Sequence, residues 1–162
     1  SAGKQERRRQ YAAIRRPILV LFFFTKLVWA ERVLPGAHFQ REIPMFPTMQ
    51  IKSKTLGEKL NNAGHVYAVR NSWYYFSHQP PLKVAEFYSE KLVGADRQTL
   101  GPNHLVFTVH PNNCRPLDIH DGSNPFEFVE IEIADISELN SVLKERDRAA
   151  RCSIHISEYL AP

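Results

Sequence analysis

Cysteine is scarce in this chain: Cys114 and Cys152 are the only two among 162 residues. Two thiols so far apart cannot build a zinc framework or a redox pair. A single bridge between them is open if the domain lies outside the cytoplasm, and two buried free thiols are the alternative. Glycine is also thin, with seven residues and no cluster of them, so the phosphate-cradling loops of nucleotide-binding proteins are absent. No strand-to-helix elbow presents a nucleophile, and no pair of carboxylates shares an element in a catalytic pattern. No enzyme class is therefore indicated, and no cofactor is expected.

Basic surface is missing as well, although the net charge is +4. Lys4, Arg7, Arg8, Arg9, Arg15 and Arg16 stand against Glu6 alone in residues 1–16, a local excess of +5 that leaves −1 on everything after. Phosphate backbones are held by basic faces on folded domains. Nucleic acid is therefore excluded as a partner.

A run of roughly 20 apolar residues, the length of a full membrane span, is lacking too. What is present is shorter: Pro17 to Ala30 is apolar apart from Thr25 and Lys26, with Pro17, Leu19, Phe22, Phe23, Phe24 and Trp29 as its main members. It directly follows the basic cluster. Cations at Arg7, Arg8, Arg9, Arg15 and Arg16 stay on the cytoplasmic side while such a stretch inserts, which places the rest of the chain beyond the membrane. Val28 and Ala30 would also suit a signal peptidase cutting before Glu31. Anchor and cleaved signal both remain open, with the anchor as the working expectation. An anchored form extends back through Tyr11 to Ile14, with Arg15, Arg16 and Lys26 snorkelling to the headgroups. A short, charged span is suited to packing against other membrane helices.

The divisions expected are a basic cytoplasmic segment (1–16), a membrane anchor or signal segment (17–34), an extended arm (35–64) and an extracytoplasmic α+β domain (65–162). Pro35, Gly36, Pro44 and Pro47 punctuate the arm, which carries at most a short strand at Met49–Lys52. Leu56 to Gly64 reads as a helical turn or a loop. His65–Val69 and Trp73–Phe76 are rich in aromatic and β-branched residues and read as strands beside a turn or bulge. Pro81 opens a helix with an apolar stripe of Val84, Ala85, Tyr88 and Leu92, and Gly94 stops it. Strands follow near Arg97 and at Leu105–Val109, then a loop from Pro111 to Pro125. Phe126–Ile133 alternates Val129, Ile131 and Ile133 with Glu130 and Glu132, a strand with one wet face. Asp135 and Glu138 make a capping box for a second helix with an apolar face of Ile136, Leu139, Val142 and Leu143. Ser153–Ile156 returns as a strand. The order predicts an α+β fold: an N-terminal membrane helix, then an antiparallel or mixed sheet with two helices on one face.

Ile43-Pro-Met-Phe-Pro47, then an aromatic strand and Pro81-Leu-Lys-Val-Ala-Glu-Phe-Tyr-Ser-Glu-Lys-Leu92, resembles a group of exported bacterial domains of unknown function. Those domains open with Pro-x-Tyr-Pro-Gly-Ala and carry a Pro-x-x-Val-x-x-Phe-Tyr-x-x-x-Leu helix. The likeness runs from Glu42 to Val109. Phe46 stands for the tyrosine, Thr48-Met49 for the Gly-Ala, Pro80 for a polar cap, and no Gly-Trp follows the helix. What the resemblance implies is an extracytoplasmic α+β domain without assigned catalytic residues.

Two local features invite a functional reading. His110, Cys114 and His120, with Asp118 and Asp121 nearby, supply metal-ligating atoms in one loop, although their spacing matches no established pattern. Trp73 and Tyr75 share one strand face, and Tyr74 and Phe76 the other. A partner surface at Trp73 and Tyr75 competes with an ordinary two-sided core. The function expected is a non-catalytic accessory subunit of a membrane complex, single-pass in a bacterial inner membrane with its domain in the periplasm. An exported soluble domain binding a metal or small ligand is the alternative.

Overall fold

The computed structural model describes residues 34–119, 124–139 and 141–162. The basic cluster, the apolar stretch with its residues Pro17, Leu19, Phe22, Phe23, Phe24 and Trp29, the cleavage site after Ala30, and His120 lie outside them. Six strands form one sheet: β1 (Gln50–Asn62), β2 (His65–Ser77), β3 (Asp96–Gly101), β4 (His104–Val109), β5 (Phe128–Asp135) and β6 (Cys152–Leu160). Their order across the sheet is β1-β2-β6-β5-β4-β3. Every neighbouring pair is antiparallel. One helix, α1 (Pro81–Lys91), joins β2 to β3.

This corrects the expected α+β fold with two helices on one face of the sheet, while the expected membrane helix falls outside the described residues. Among the described residues no helix is long and apolar enough to cross a membrane. The second helix, starting at Asp135, is replaced by two single 3-10 turns at Ser137–Leu139 and Glu145–Asp147. Asp135 does cap, its Oδ1 accepting from Ser137 N at 2.8 Å and Ser137 Oγ at 2.6 Å. Topology overrides the apolar pattern beyond it. Asp135 pairs with Cys152 across the sheet, and Ile136 N bonds Arg151 O at 3.1 Å. The connection must therefore end where it begins, whereas a straight helix advances about 1.5 Å per residue. Leu139 and Val142 are left exposed.

The expected arm, 35–64, divides at Met49. Its second half is the thirteen-residue strand β1. Its first half is core: Phe39, Ile43, Met45, Phe46 and Met49 are all buried, as is Leu34 just before it. Together with Val84, Ala85, Tyr88 and Leu92 of α1 they cover one face of the sheet, on which Trp73, Tyr75, Phe107, Ile131, Ile133, Ile154 and Ile156 pack. Register lines these up, since Trp73 pairs with Ile156, Ile156 with Ile131 and Ile131 with Phe107.

The arm is fastened by polar contacts. Glu158, 1 % exposed, accepts from the backbone N–H of His38 at 3.1 Å and of Phe39 at 2.8 Å. Asn71 Nδ2 donates to the same carboxylate at 2.9 Å, and Trp73 Nε1 donates to Pro35 O at 3.2 Å. Proline-punctuated chain without regular hydrogen bonds can lie on a core only if its polar groups find such partners.

Candidate functional site

Alternation sends the other half of each strand to the opposite side of the sheet. At one end of that side the loop before β5 lays Leu117 and Ile119 over Ala68, Phe128 and Tyr159. The rest carries no covering element among the described residues. Two rows cross it: Tyr74, His155, Glu132 and Val106 in one, Ser72, Ser157, Glu130 and Thr108 in the next.

These side chains form a connected polar floor. Glu132 Oε1 lies 2.6 Å from His104 Nε2, and its Oε2 lies 3.8 Å from His155 Nδ1. His155 Nε2 is 3.3 Å from Ser157 Oγ, which is 3.5 Å from Ser72 Oγ. The Tyr74 ring stands edge-on to His155 with centroids 5.9 Å apart. Arg70 Nε donates to Glu58 Oε2 at 2.8 Å, and that bond holds its guanidinium above the ordinary value against the opposing effect of burial. A recess of about 330 Å³ opens among Ser53, Thr55, Glu58, Arg70, Tyr74 and His155. Half-burial pushes the Glu130 carboxyl up and neighbouring Glu132 adds to the rise, with His155 and Arg70 partly offsetting both.

Ser157, His155 and Glu132 have the composition of a nucleophile triad, but the geometry does not perform acyl transfer. Ser157 is 2 % exposed, and 3.8 Å is too long for the carboxylate to fix the imidazole by a hydrogen bond. Oxyanion donors need free backbone N–H groups, and those of β6 face the ladders of β2 and β5 on either side.

The candidates from the sequence fall elsewhere. Trp73 and Tyr75, expected as a partner surface, are 0 % and 1 % exposed beneath the arm and α1. Tyr74 and Phe76 occupy the open side in their place, with half-buried rings 5.6 Å apart. His110 Nδ1 donates to Glu127 O at 3.0 Å, and its Nε2 lies 3.2 Å from the Asn124 side chain. Cys114 Sγ donates to Pro111 O at 2.7 Å, and burial, with Glu127 and Glu42 adding, raises its thiol pKa. A protonated thiol is a poor ligand and a poor nucleophile. His110 and Cys114 thus bond to backbone carbonyls of the loop and its return to β5, His120 lies outside the described residues, and among those described no three metal-ligating side chains gather. Cys114 and Cys152 are both free; burial pushes the Cys152 thiol up to about 12.

His104, Glu132, His155, Arg70 and Ser157 escaped the sequence reading. Their one signal was period-two placement, Glu130 and Glu132 between apolar residues on β5 and His155 between Ile154 and Ile156 on β6. Bringing them together requires the strand order. No protein-family model, curated protein or solved structure matches the chain.

Proposed function

We propose that this chain is a non-catalytic accessory subunit of a membrane protein complex, and that the open side of its sheet receives another subunit. The observation that carries this reading is the asymmetry of the sheet. One face is closed by arm and helix, while the other offers half-buried Tyr74, Phe76, His155, Glu130 and Glu132 with no element over them among the described residues. Amphipathic aromatic side chains mixed with hydrogen-bonding groups are the composition of protein interfaces. The membrane part rests on the sequence: cations Arg7, Arg8, Arg9, Arg15 and Arg16 precede the apolar Leu19, Phe22, Phe23, Phe24 and Trp29. Such an order puts the domain on the periplasmic side of a bacterial inner membrane.

The test extracts the full chain from its native membrane in mild detergent and measures the mass of the particle carrying it. Wild type is expected in a particle that contains a second kind of subunit. Tyr74→Ala combined with His155→Ala should leave the chain in the membrane fraction but release it from that particle. Wild-type chain found only with itself, or only in the soluble fraction, overturns the proposal.

A further inference from the structure

β6 ends at Leu160, opposite Val69, so the turn end of the β1-β2 hairpin runs on past it. A recess of about 660 Å³ opens there, lined by Asn61, Asn62, His65 and Tyr67 of the hairpin and by Asp118 and Ile119 of the loop before β5. That volume falls within the roughly 300–1,000 Å³ of small-ligand sites. Both walls are fixed. Leu117, 7 % exposed, anchors the loop over Ala68 and Phe128, and its N–H bonds Pro125 O at 2.8 Å. The hairpin register slips between Leu60 and Asn61, an irregularity of the kind that re-aims side chains. His65 Nε2 lies 2.9 Å from Asp118 Oδ2 and ties one wall to the other. Ala63 also borders the recess, and its positive φ of 50° is strained for a residue with a Cβ. Strain of this sort gathers at binding sites, and a methyl group keeps the lip clear where the turn favours a longer asparagine.

We infer that this recess binds a saccharide of one or two rings. Its described lining holds no lysine or arginine, so a phosphate or carboxylate ligand finds no fixed counter-charge. His65 and Asp118 are metal-ligating groups, but among the described residues no third one joins them. Apolar lining is confined to Ala63, Ile119 and the Tyr67 ring, too little to enclose a lipid chain. What the walls offer is neutral hydrogen bonding. The carboxamides of Asn61 and Asn62 take no partner among the described residues, and each can donate and accept at once. Adjacent hydroxyls on a sugar ring need that combination, with the Asp118 carboxylate as a further acceptor. Half-buried Tyr67 supplies the flat apolar surface on which the C–H face of such a ring lies. The described linings of this recess and of the one around Tyr74 and His155 share no residue, so the inference stands apart from the open-face proposal.

The test is saturation-transfer NMR on the full chain in a detergent without a sugar headgroup, with maltose, cellobiose and diacetylchitobiose as probes. At least one disaccharide should bind saturably with a Kd below about 10 mM. Asp118 and Asn62 are exposed, so their substitution spares the core. Asp118→Ala should weaken binding at least about tenfold and Asn62→Ala about fivefold, the loss of a charged and of a neutral hydrogen bond. Gln98→Ala, on the far edge strand β3, should leave it unchanged. Retention of the chain on insoluble cellulose or chitin, released by the disaccharide, would assign the ligand to the end of a polysaccharide; disaccharide binding without retention would assign it to a free sugar. No saturable binding of any probe, or binding that neither substitution weakens, overturns the inference. Tyr74→Ala with His155→Ala should leave sugar binding intact, so this inference and the open-face proposal fail separately.

Discussion

Buried carboxylates in this protein are held in two ways. Glu127, 0 % exposed, accepts from Arg115 N at 3.0 Å, Arg115 Nε at 2.8 Å and Ala161 N at 2.9 Å. Burial alone would raise its pKa, but the two backbone donors and the guanidinium outweigh it and the net shift is downward. Glu158 has only amide donors among the described residues. Glu158→Ala leaves the N–H groups of His38 and Phe39 without an acceptor, an expected loss of about 3 kcal/mol readable as a lowered urea midpoint. Glu130 runs the opposite way to Glu127. Its folded pKa is raised, so its charged form opposes folding, and stability is lost as pH rises through that folded value. Glu130→Gln should therefore raise the melting temperature at neutral pH and change nothing well below the ordinary carboxylate range. Glu127, depressed, contributes stability above its unfolded value that disappears as pH falls through the folded one, so Glu127→Gln should flatten the acid limb of the same profile. Glu130 and Glu132 read as one strand's wet side in the sequence. Their partners come from other loops and strands, which single-strand periodicity does not register.

The β1-β2 hairpin turns through Ala63 and Gly64, both at positive φ, 50° and 84°. A two-residue turn of this kind favours asparagine at its first position, and alanine there is strained by its Cβ. Ala63→Asn is expected to add about 0.5–1 kcal/mol to unfolding stability, measured as a shifted denaturant midpoint at constant slope. Legibility at this scale followed burial. β5, with one face wet and one dry, shows in its alternating residues, and α1 starts at Pro81 and buries the stripe of Val84, Ala85 and Tyr88. β1 was legible only at its start, within the short strand expected at Met49–Lys52, because most of its residues are exposed and no hydrophobic period marks the rest. The stretch after Asp135 failed for the reverse reason: Ile136, Leu139 and Val142 have helical spacing, but only Ile136 finds anything to pack on.

For the whole molecule, the largest departure from the sequence reading is the stretch from Leu34 to Met49. Scattered apolar residues among prolines resemble a tether, and only the tertiary structure shows them closing a sheet face. Phe46, 6 % exposed and edge-on to Phe87 at 5.3 Å, tests this role. Phe46→Ala should lower stability by about 3 kcal/mol or more while unfolding stays a single transition. A separate early transition would mean that the segment is an appendage after all. The place of β6 in the sheet order bears on how the protein is made. It comes last of the six strands in chain order, yet it sits between β2 and β5 and joins two halves that make no other ladder among the described residues. Until it emerges from the ribosome, each half carries an unsatisfied inner edge, so the nascent sheet is sticky until β6 is made and closes in a single step.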